Sequence, residues 1–333
     1  MSANEELERL KAAASSGDYG AMTALGKRLI ATPTSAKSVD EGQLLLKQAM
    51  DAGNGEAAEF VAVIFASGMI GEQNWRQALD YLSLSASLGW PRALRQLSIL
   101  ADAPLENGAW GSDPADAKAL RERIDAEGLL QIPEKQNLCE APRIRKFDNF
   151  LPERFCDWMI DLARPKLARA RTYDDTAVEG KESDARTNSS VSFNLLDLDL
   201  ILLLIQTRIS KIAMVPMFTM ENSMVMHYNV GEQFHPHYDY LDPSKAAHAA
   251  DMRKFGQRLA TCLIYLNEDF EGAETSFPEI NQKFRCDRGG ALLFANVDLE
   301  GQPDPQTLHA GLPPTRGEKW LFSQWIRSGP LPQ

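Results

Sequence analysis

The first hundred residues contain a pattern that recurs every 36 residues, and this period limits the folds open to that part of the chain. The aligned runs are GDYGAMTALG, GNGEAAEFVA and GWPRALRQLS, which begin at Gly17, Gly53 and Gly89. Small or apolar side chains stay in register across them: Ala21, Ala57 and Ala93, then Leu25, Val61 and Leu97. An amphipathic run precedes each glycine, so the unit is a helix, a glycine stop and a second helix. A period of this length predicts a helical solenoid.

The pattern fills only about two and a half units, and solenoids usually need three or more repeats to be stable alone. We therefore expect the helices to pack on another part of the chain. The repeats resemble the Sel-like repeats, which are relatives of the tetratricopeptide family, over residues 10–105. Two interpretations stay open: a docking surface for a protein partner, or a helical cover for the second half of the chain.

Charge and composition exclude some classes of function. The 333 residues carry a formal net charge of -11 and contain no basic run, which argues against nucleic-acid binding through phosphates. No apolar run approaches the roughly 20 residues that a membrane span requires, and the acidic N-terminus does not resemble a secretory signal. The four cysteines (Cys139, Cys156, Cys262 and Cys286) are scattered, which favours reduced thiols and a cytoplasmic location.

The second half has a different pattern, dominated by short strands from Ser223 onward. The runs SMVMHYNV, RLATCLIYLN, GGALLFANV and KWLFSQWIR are rich in branched or aromatic residues and are bounded by turn formers. Such strands predict a β-sandwich or jelly roll. We therefore expect an α+β chain, with a helical repeat region at 1–130 and a jelly-roll domain, a double-stranded β-helix, at 131–333. Two long connections, 172–188 and 240–257, are expected to be loops that cover a site.

The run FHPHYDY places His237 and Asp239 two residues apart, so that on a strand both side chains point the same way. A third ligand, His309, is available in the run QTLHAGLPPTRGEKW. Two histidines and one carboxylate form the facial triad of non-haem iron(II) oxygenases. Such a triad leaves positions open for a chelating 2-oxo acid and for dioxygen.

Lys319 opens the apolar strand KWLFSQWIR, ten residues after His309. Burying a lysine is costly unless it is paired, and the far carboxylate of a 2-oxo acid would be such a partner. The alternative is a lysine on an edge strand that faces solvent.

Residues 140–328 resemble the prolyl 4-hydroxylase type of 2-oxoglutarate- and iron(II)-dependent dioxygenase. The resemblance rests on the runs RIRKFDNFLPERFCDWMIDLA, RTNSSVSF, YNVGEQFHPHYDY, GQRLATCLIYLNEDFEGAETSFP and GGALLFANVDLEGQPDPQTLHAGLPPTRGEKWLFSQWI, which agree in order and spacing. It implies an Fe(II) site, 2-oxoglutarate and O2 as co-substrates, and ascorbate as a helper. By this resemblance the iron ligands are His237, Asp239 and His309, the 2-oxoglutarate residues are Lys319, Tyr228 and Trp325, and the substrate-side residues are Arg258 and Phe234.

Two positions depart from that family. Phe234 stands where the peptidyl-proline enzymes often have tyrosine, and Ala273 stands in place of a glycine. Three functions remain open. The first is hydroxylation of a prolyl or other residue in a peptide or protein, and the second is hydroxylation of a free amino acid or other small molecule. The third is a non-catalytic binding protein that uses its repeats.

Overall fold

The computed structural model describes residues 3–103, 113–174 and 177–329. Contacts divide them into two units. One comprises Met1–Gln131 together with Leu195–Thr207, and the other comprises Ile132–Asn194 and Arg208–Pro332. The predicted domain boundary between residues 130 and 131 stays a prediction, because a segment from the middle of the chain lies with the helices.

The first unit is built from helix pairs, as the 36-residue period predicts. Its helices are α1 Ala3–Ser15, α2 Tyr19–Ala31, α3 Ala36–Asp51, α4 Gly55–Ser67, α5 Trp75–Ser87, α6 Pro91–Leu100, α7 Ala117–Arg123 and α8 Ala126–Leu129. The glycines of the repeat follow α1, α3 and α5 with φ angles of 91°, 89° and 81° at Gly17, Gly53 and Gly89. This left-handed conformation ends a helix and is easiest for glycine.

Small residues bring neighbouring helices of this unit close together. Ala57 and Ala93, two of the aligned alanines, are fully buried. Helices α2 and α3 meet at Gly26 and Gly42, where a Cβ added to Gly26 would lie 2.9 Å from the Gly42 carbonyl oxygen. No side chain fits at that distance, so the two backbones pack directly on each other.

Replacing Gly26 with alanine is expected to lower the free energy of unfolding by about 1–2 kcal/mol, because the new methyl group overpacks the α2–α3 contact. The same change at Gly20, also in α2, is the matched control. A Cβ there would meet only the Asp18 side chain, at 3.2 Å, and alanine should raise stability by about 0.5–1 kcal/mol through helix propensity. Urea unfolding measures both, and equal effects at the two sites would contradict the close contact.

The segment Leu195–Thr207 is joined to the helical unit by buried polar contacts. Arg92 donates to Asp199 Oδ2 at 3.0 Å, and the backbone N–H of Leu200 donates to Gln96 Oε1 at 3.0 Å. Glu59, 4% exposed, accepts from Trp90 Nε1 at 2.6 Å and lies beside Arg92. Burial raises the pKa of Glu59 despite these partners. The helical unit therefore includes a later part of the chain, in agreement with the expectation that its few repeats need one.

The second unit contains the strands. In chain order they are β1 Gln136–Cys139, β2 Ile144–Phe147, β3 Ala168–Arg169, β4 Arg171–Asp174, β5 Ala177–Glu182, β6 Ser189–Phe193, β7 Ser223–Tyr228, β8 Phe234–His237, β9 Arg258–Tyr265, β10 Phe270–Gly272, β11 Thr275–Phe277, β12 Gln282–Phe284, β13 Ala291–Ala295, β14 His309–Gly311, β15 Pro314–Gly317 and β16 Lys319–Arg327. The further helices are α9 Glu153–Ala163 and α11 Ala246–Phe255, and α10 Leu200–Ala213, whose residues up to Thr207 are counted with the first unit. The four strand runs recognised in the sequence correspond to β7, β9, β13 and β16.

Two antiparallel sheets form the jelly roll. The larger has the order β1-β2-β13-β9-β16-β7-β6-β3, and the smaller has the order β12-β11-β14-β8. Apolar residues of both sheets share one core, which includes Leu263 and Leu321 from the larger sheet and Phe277 from the smaller one. Alternate residues of β16 face this interior, so that Lys319, Leu321, Ser323 and Trp325 line a common pocket. This confirms the α+β, jelly-roll prediction.

Both segments predicted as loops contain regular structure. Strands β4 and β5 pair as a hairpin within residues 172–188, of which 175 and 176 lie outside the described residues, and α11 occupies most of 240–257. The loop prediction was wrong there because polar residues also form strands and helices. Among the helices that the structure describes, none is long and apolar enough to cross a bilayer.

Candidate active site

The two predicted histidine ligands are opposite each other on neighbouring strands. His237 ends β8 and His309 begins β14, and the two residues are direct partners in the antiparallel register. Their ring centroids are 4.3 Å apart. Strand pairing therefore brings together two residues that are 72 positions apart in the chain.

Backbone carbonyls fix the orientation of both imidazoles. The Nδ1 of His237 donates to the carbonyl of His235 at 2.8 Å, and the Nδ1 of His309 donates to the carbonyl of Thr307 at 2.9 Å. With the proton on Nδ1, each Nε2 keeps a free lone pair, which is the form that binds a metal. Burial, and then the neighbouring His309, lower the pKa of His237, so this ring is neutral at physiological pH.

Asp239 completes the group. Its Oδ1 lies 3.7 Å from His237 Nε2, and its Oδ2 lies 3.4 Å from His309 Nε2. One ligand atom from each of the three residues lies within 4.8 Å of the others. Burial disfavours ionisation of Asp239, but His309, His237 and the hydroxyl of Thr261 outweigh it and lower the pKa of the carboxyl. Two neutral imidazoles and one carboxylate suit Fe(II), so the donor set fits this metal.

Lys319 lies in the same pocket and is almost completely buried, at 1% exposure. Its ammonium donates to the carbonyl of Ala273 at 2.7 Å and lies 4.8 Å from the Tyr265 ring centroid. In the described part of the chain, no carboxylate lies within ion-pair distance of it. Burial lowers the pKa of Lys319 to about 7. A buried cation without an anionic partner fits the distal carboxylate of 2-oxoglutarate.

Two further predicted residues present donors to the pocket. Burial raises the pKa of Tyr228 to about 12, so its hydroxyl stays protonated, and its nearest partner is the weakly accepting Met226 sulfur at 3.7 Å. The Nε1 of Trp325 is buried and has no hydrogen-bond partner among the described residues. Because an unpaired buried donor is costly, both groups fit a ligand with oxygen acceptors.

Ala273 holds an unusual backbone conformation that aims its carbonyl at Lys319. Its φ is 58°, in the left-handed region, and its side chain is fully buried. Residues other than glycine rarely adopt this region, and β-branched residues almost never do. This conformation favours glycine, the residue of the family pattern that this stretch of sequence resembles.

Replacing Ala273 with valine is expected to lower the free energy of unfolding by at least about 2–3 kcal/mol, since it adds backbone strain and overpacks the core. It should also raise the KM for 2-oxoglutarate by displacing the carbonyl that orients Lys319. The control is Ala295→Val in β13, where valine suits the strand and should change stability by less than about 1 kcal/mol. Thermal unfolding and KM are measured together, and a stable variant with normal KM would contradict this role.

The structure places the two predicted substrate-side residues differently. Phe234 lines the pocket and stacks on His237, with ring centroids 3.5 Å apart. The guanidinium of Arg258 donates to Glu221 at 2.6 Å and 2.9 Å and lies 3.8 Å from the Trp325 ring centroid. Arg258 is not among the residues that line the pocket, and its contact with a pocket residue is the one to Trp325.

Several pocket residues were missed from the sequence. Arg186 is 4% exposed, lies 4.7 Å from the Phe234 ring centroid and donates to the sulfurs of Met224 and Met226 at 3.3 Å. The run RTNSSVSF, which contains Arg186, contributes to the family resemblance but does not predict a role for this residue. Thr275 also lines the pocket. In the sequence it belongs to the run ETSFP, shortly after Gly272, and nothing there marks it as a site residue.

Comparison with known proteins agrees with this geometry. A family model described as the 2OG-Fe(II) oxygenase superfamily matches residues 223–327. The Arabidopsis thaliana protein Probable prolyl 4-hydroxylase 3 is 31% identical over 231 residues, which cover 64% of this chain and 78% of that protein. This chain belongs to the prolyl 4-hydroxylase family. Prolyl 4-hydroxylase 5 of the same plant is 33% identical over 205 residues, which cover 56% of this chain and 68% of that relative.

Solved structures are similar to each half of this prolyl 4-hydroxylase-type chain. A viral collagen prolyl hydroxylase from Paramecium bursaria Chlorella virus-1, in complex with 2OG, has 26% identity and a TM-score of 0.43, and the match covers 57% of this chain and 98% of that one. A Sel1 repeat protein from Oxalobacter formigenes has 24% identity and a TM-score of 0.26, with 37% and 90% covered. As a family member, the chain is a 2-oxoglutarate- and Fe(II)-dependent dioxygenase, as the sequence predicted.

Proposed function

We propose that this dioxygenase hydroxylates a prolyl residue of a peptide or protein, with Fe(II) held by His237, Asp239 and His309. One observation carries the assignment of the site: two imidazoles and a carboxylate converge in a pocket that also contains the buried side chain of Lys319. The substrate is supported by the relatives, which are named prolyl 4-hydroxylases.

In this proposal Fe(II) and 2-oxoglutarate, when bound, would supply the reaction with O2, in which one oxygen atom converts a C–H bond to C–OH and the other enters succinate as 2-oxoglutarate loses CO2. The ammonium of Lys319 pairs with the distal carboxylate. The hydroxyl of Tyr228 and the Nε1 of Trp325 donate to oxygens of the co-substrate. Leu263 and Leu321, which also line the pocket, exclude water from it.

Phe234 and Arg258 are proposed to act on the substrate side. Phe234 presents a ring edge where the related enzymes often have a tyrosine hydroxyl, so it contributes apolar contact without a hydrogen bond. Arg258 orients the indole of Trp325 through their 3.8 Å contact. Apolar contact suits a pyrrolidine ring.

The test is an anaerobic titration of Fe(II) and 2-oxoglutarate, followed by the visible metal-to-ligand charge-transfer band. The proposal expects the band in the wild type, its loss in His237→Ala and its weakening in Lys319→Ala. Succinate release is then compared with proline-containing peptides and with free proline. If the folded, iron-loaded protein showed no band, the assignment of His237, Asp239 and His309 as iron ligands would be wrong. Turnover of free proline with none of peptides would replace the peptide by a small molecule.

We also propose that the helical repeats recruit a protein. Apolar side chains on their surface support this, with Leu44 at 55% and Leu84 at 38% exposure. Deleting the repeats is a poor test, because Asp199 would lose its partner Arg92. The variants Leu44→Glu and Leu84→Glu are compared with the wild type on a full-length protein substrate and on a short peptide. A variant whose kcat/KM falls for the protein substrate but not for the short peptide supports recruitment. Variants whose kcat/KM matches the wild type for both substrates reject it.

Ascorbate as a helper and a cytoplasmic location complete the proposal. The location is supported by the four cysteines, all free thiols, of which three are buried. Succinate release with and without ascorbate tests the helper. Imaging of the tagged chain in its own cell tests the location.

A further inference from the structure

A chain of buried hydrogen bonds leads from a backbone loop to the carboxylate of Asp239. The hydroxyl of Thr261 donates to Asp239 Oδ2 at 2.7 Å, and the Nδ2 of Asn296 donates to Thr261 Oγ1 at 3.0 Å. Asp239 is 4% exposed, Thr261 1% and Asn296 0%. Because these groups are almost completely buried, each bond determines how the next group is oriented.

The carboxylate sets the direction of the chain. An ionised carboxylate only accepts hydrogen bonds, and a threonine hydroxyl has a single proton to give. That proton goes to Asp239, so the Thr261 oxygen can only accept from the amide of Asn296. Nδ2 of Asn296 must therefore face Thr261, and its Oδ1 must face away.

This orientation leaves one buried polar atom of Asn296 unpaired. Its Oδ1 is buried without a hydrogen-bond partner in the described residues. The residue is nevertheless held firmly: its N–H donates to the carbonyl of Leu259 at 2.8 Å, and its own carbonyl accepts from the N–H of Asp304 at 3.1 Å. A buried unpaired amide oxygen does not stabilise a fold, which indicates that the amide is present for the bond it makes to Thr261.

We propose that Thr261 and Asn296 are positioning residues that hold the Asp239 carboxylate ready for metal binding. One carboxylate oxygen is fixed by the hydroxyl, and the carboxylate plane is set before a metal arrives. This inference rests on the proposed function, since it assigns Asp239 to the metal. It adds two residues, 22 and 57 positions further along the chain, to those that determine the affinity of the site.

The experiment measures Mn(II) binding to the full-length protein by electron paramagnetic resonance of the free ion. Thr261→Val keeps the shape of threonine and removes the hydroxyl, so the Kd should rise about 10- to 100-fold, the range seen when a partner of a metal ligand is removed. Thr261→Ser restores the hydroxyl and should stay within about threefold of the wild type. Thr219→Val, the same change at a hydroxyl bonded to Pro216 outside the pocket, is the matched control.

Asn296→Leu tests the second step. Its Kd should rise about 3- to 10-fold, yet the thermal midpoint of the metal-free protein should hold or rise, because the unpaired oxygen is removed. Combined with Thr261→Val it should add nothing, since Asn296 acts through Thr261. A merely structural role predicts a lower thermal midpoint with unchanged Kd. That result, an additive double variant, or Thr261→Val within twofold of the wild type would overturn the inference. Failure of the wild type to bind Mn(II) would instead remove the proposed function.

Discussion

Replacing His309 with alanine is expected to reduce 2-oxoglutarate decarboxylation by at least about a thousandfold, because the metal site loses one of its three protein ligands. His309 also packs on Phe294, with ring centroids 4.8 Å apart, so the variant leaves a cavity. His309→Gln is therefore made in parallel, since it fills more of the space. Succinate formation and Fe(II) binding are measured on protein whose circular dichroism matches the wild type.

The matched control is His235→Ala. His235 is exposed on the neighbouring strand β8, and its contribution to the site is its carbonyl, which alanine retains. Decarboxylation by this variant should stay within about threefold of the wild type. If both histidine variants lost activity equally, the assignment of His309 would be wrong. A folded His309→Gln protein with normal succinate formation would exclude it outright.

Replacing Lys319 with methionine is expected to raise the KM for 2-oxoglutarate by about 30-fold or more, since a buried carboxylate would lose its cation. The metal-free protein should become more stable, because methionine fills a similar volume without a buried charge. These opposite changes distinguish a binding residue from a structural one. Lys283→Met, on the exposed face of β12, is the control and should leave both quantities unchanged. A less stable variant with normal KM would contradict the role of Lys319.

The pH dependence of binding follows from the same residue. In the free protein the pKa of Lys319 is lowered to about 7, and the ionisable groups around it are Cys286, Glu274 and Arg285. In the proposed site, 2-oxoglutarate binds the charged ammonium and would therefore raise this pKa. Affinity should therefore be constant below about pH 7 and fall above it, by at most tenfold per pH unit. Calorimetry in buffers of different ionisation enthalpy should show proton uptake on binding at pH 8. Proton release there would contradict the charged-lysine site.

The convergence of His237, Asp239 and His309 and the burial of Lys319 could be predicted because their signals are local or follow from strand order. A spacing of two places His237 and Asp239 on one side of the chain, and a lysine that starts an apolar strand is conspicuous. Thr261 and Asn296 gave no such signal, since a threonine in a strand and an asparagine after one are common. Their role depends on which strands pair, and β13 pairs with β9 across 26 or more intervening positions.

For the fold, too, the features with local signals could be predicted and those that depend on distant contacts could not. The 36-residue period predicted the helix pairs, because glycine stops and alanine contacts lie within one repeat. The run LDLDLILLLIQ indicated only that it is too short to span a membrane. That this run belongs with the helical unit depends on Asp199 meeting Arg92, a contact between residues 107 positions apart.

The direct pairing of His237 with His309 has a consequence for backbone motion. Strand β8 is one of the two end strands of the smaller sheet and only four residues long, and its other side is bridged only by the short segment that contains Arg186; such short end strands open more readily than central ones. A metal held by both histidines would cross-link β8 to β14. Amide hydrogen exchange at residues 234–237 should therefore slow when metal binds, while exchange in the central strands β9 and β16 should not change. The bound metal would then hold strand β8 against β14 between turnovers.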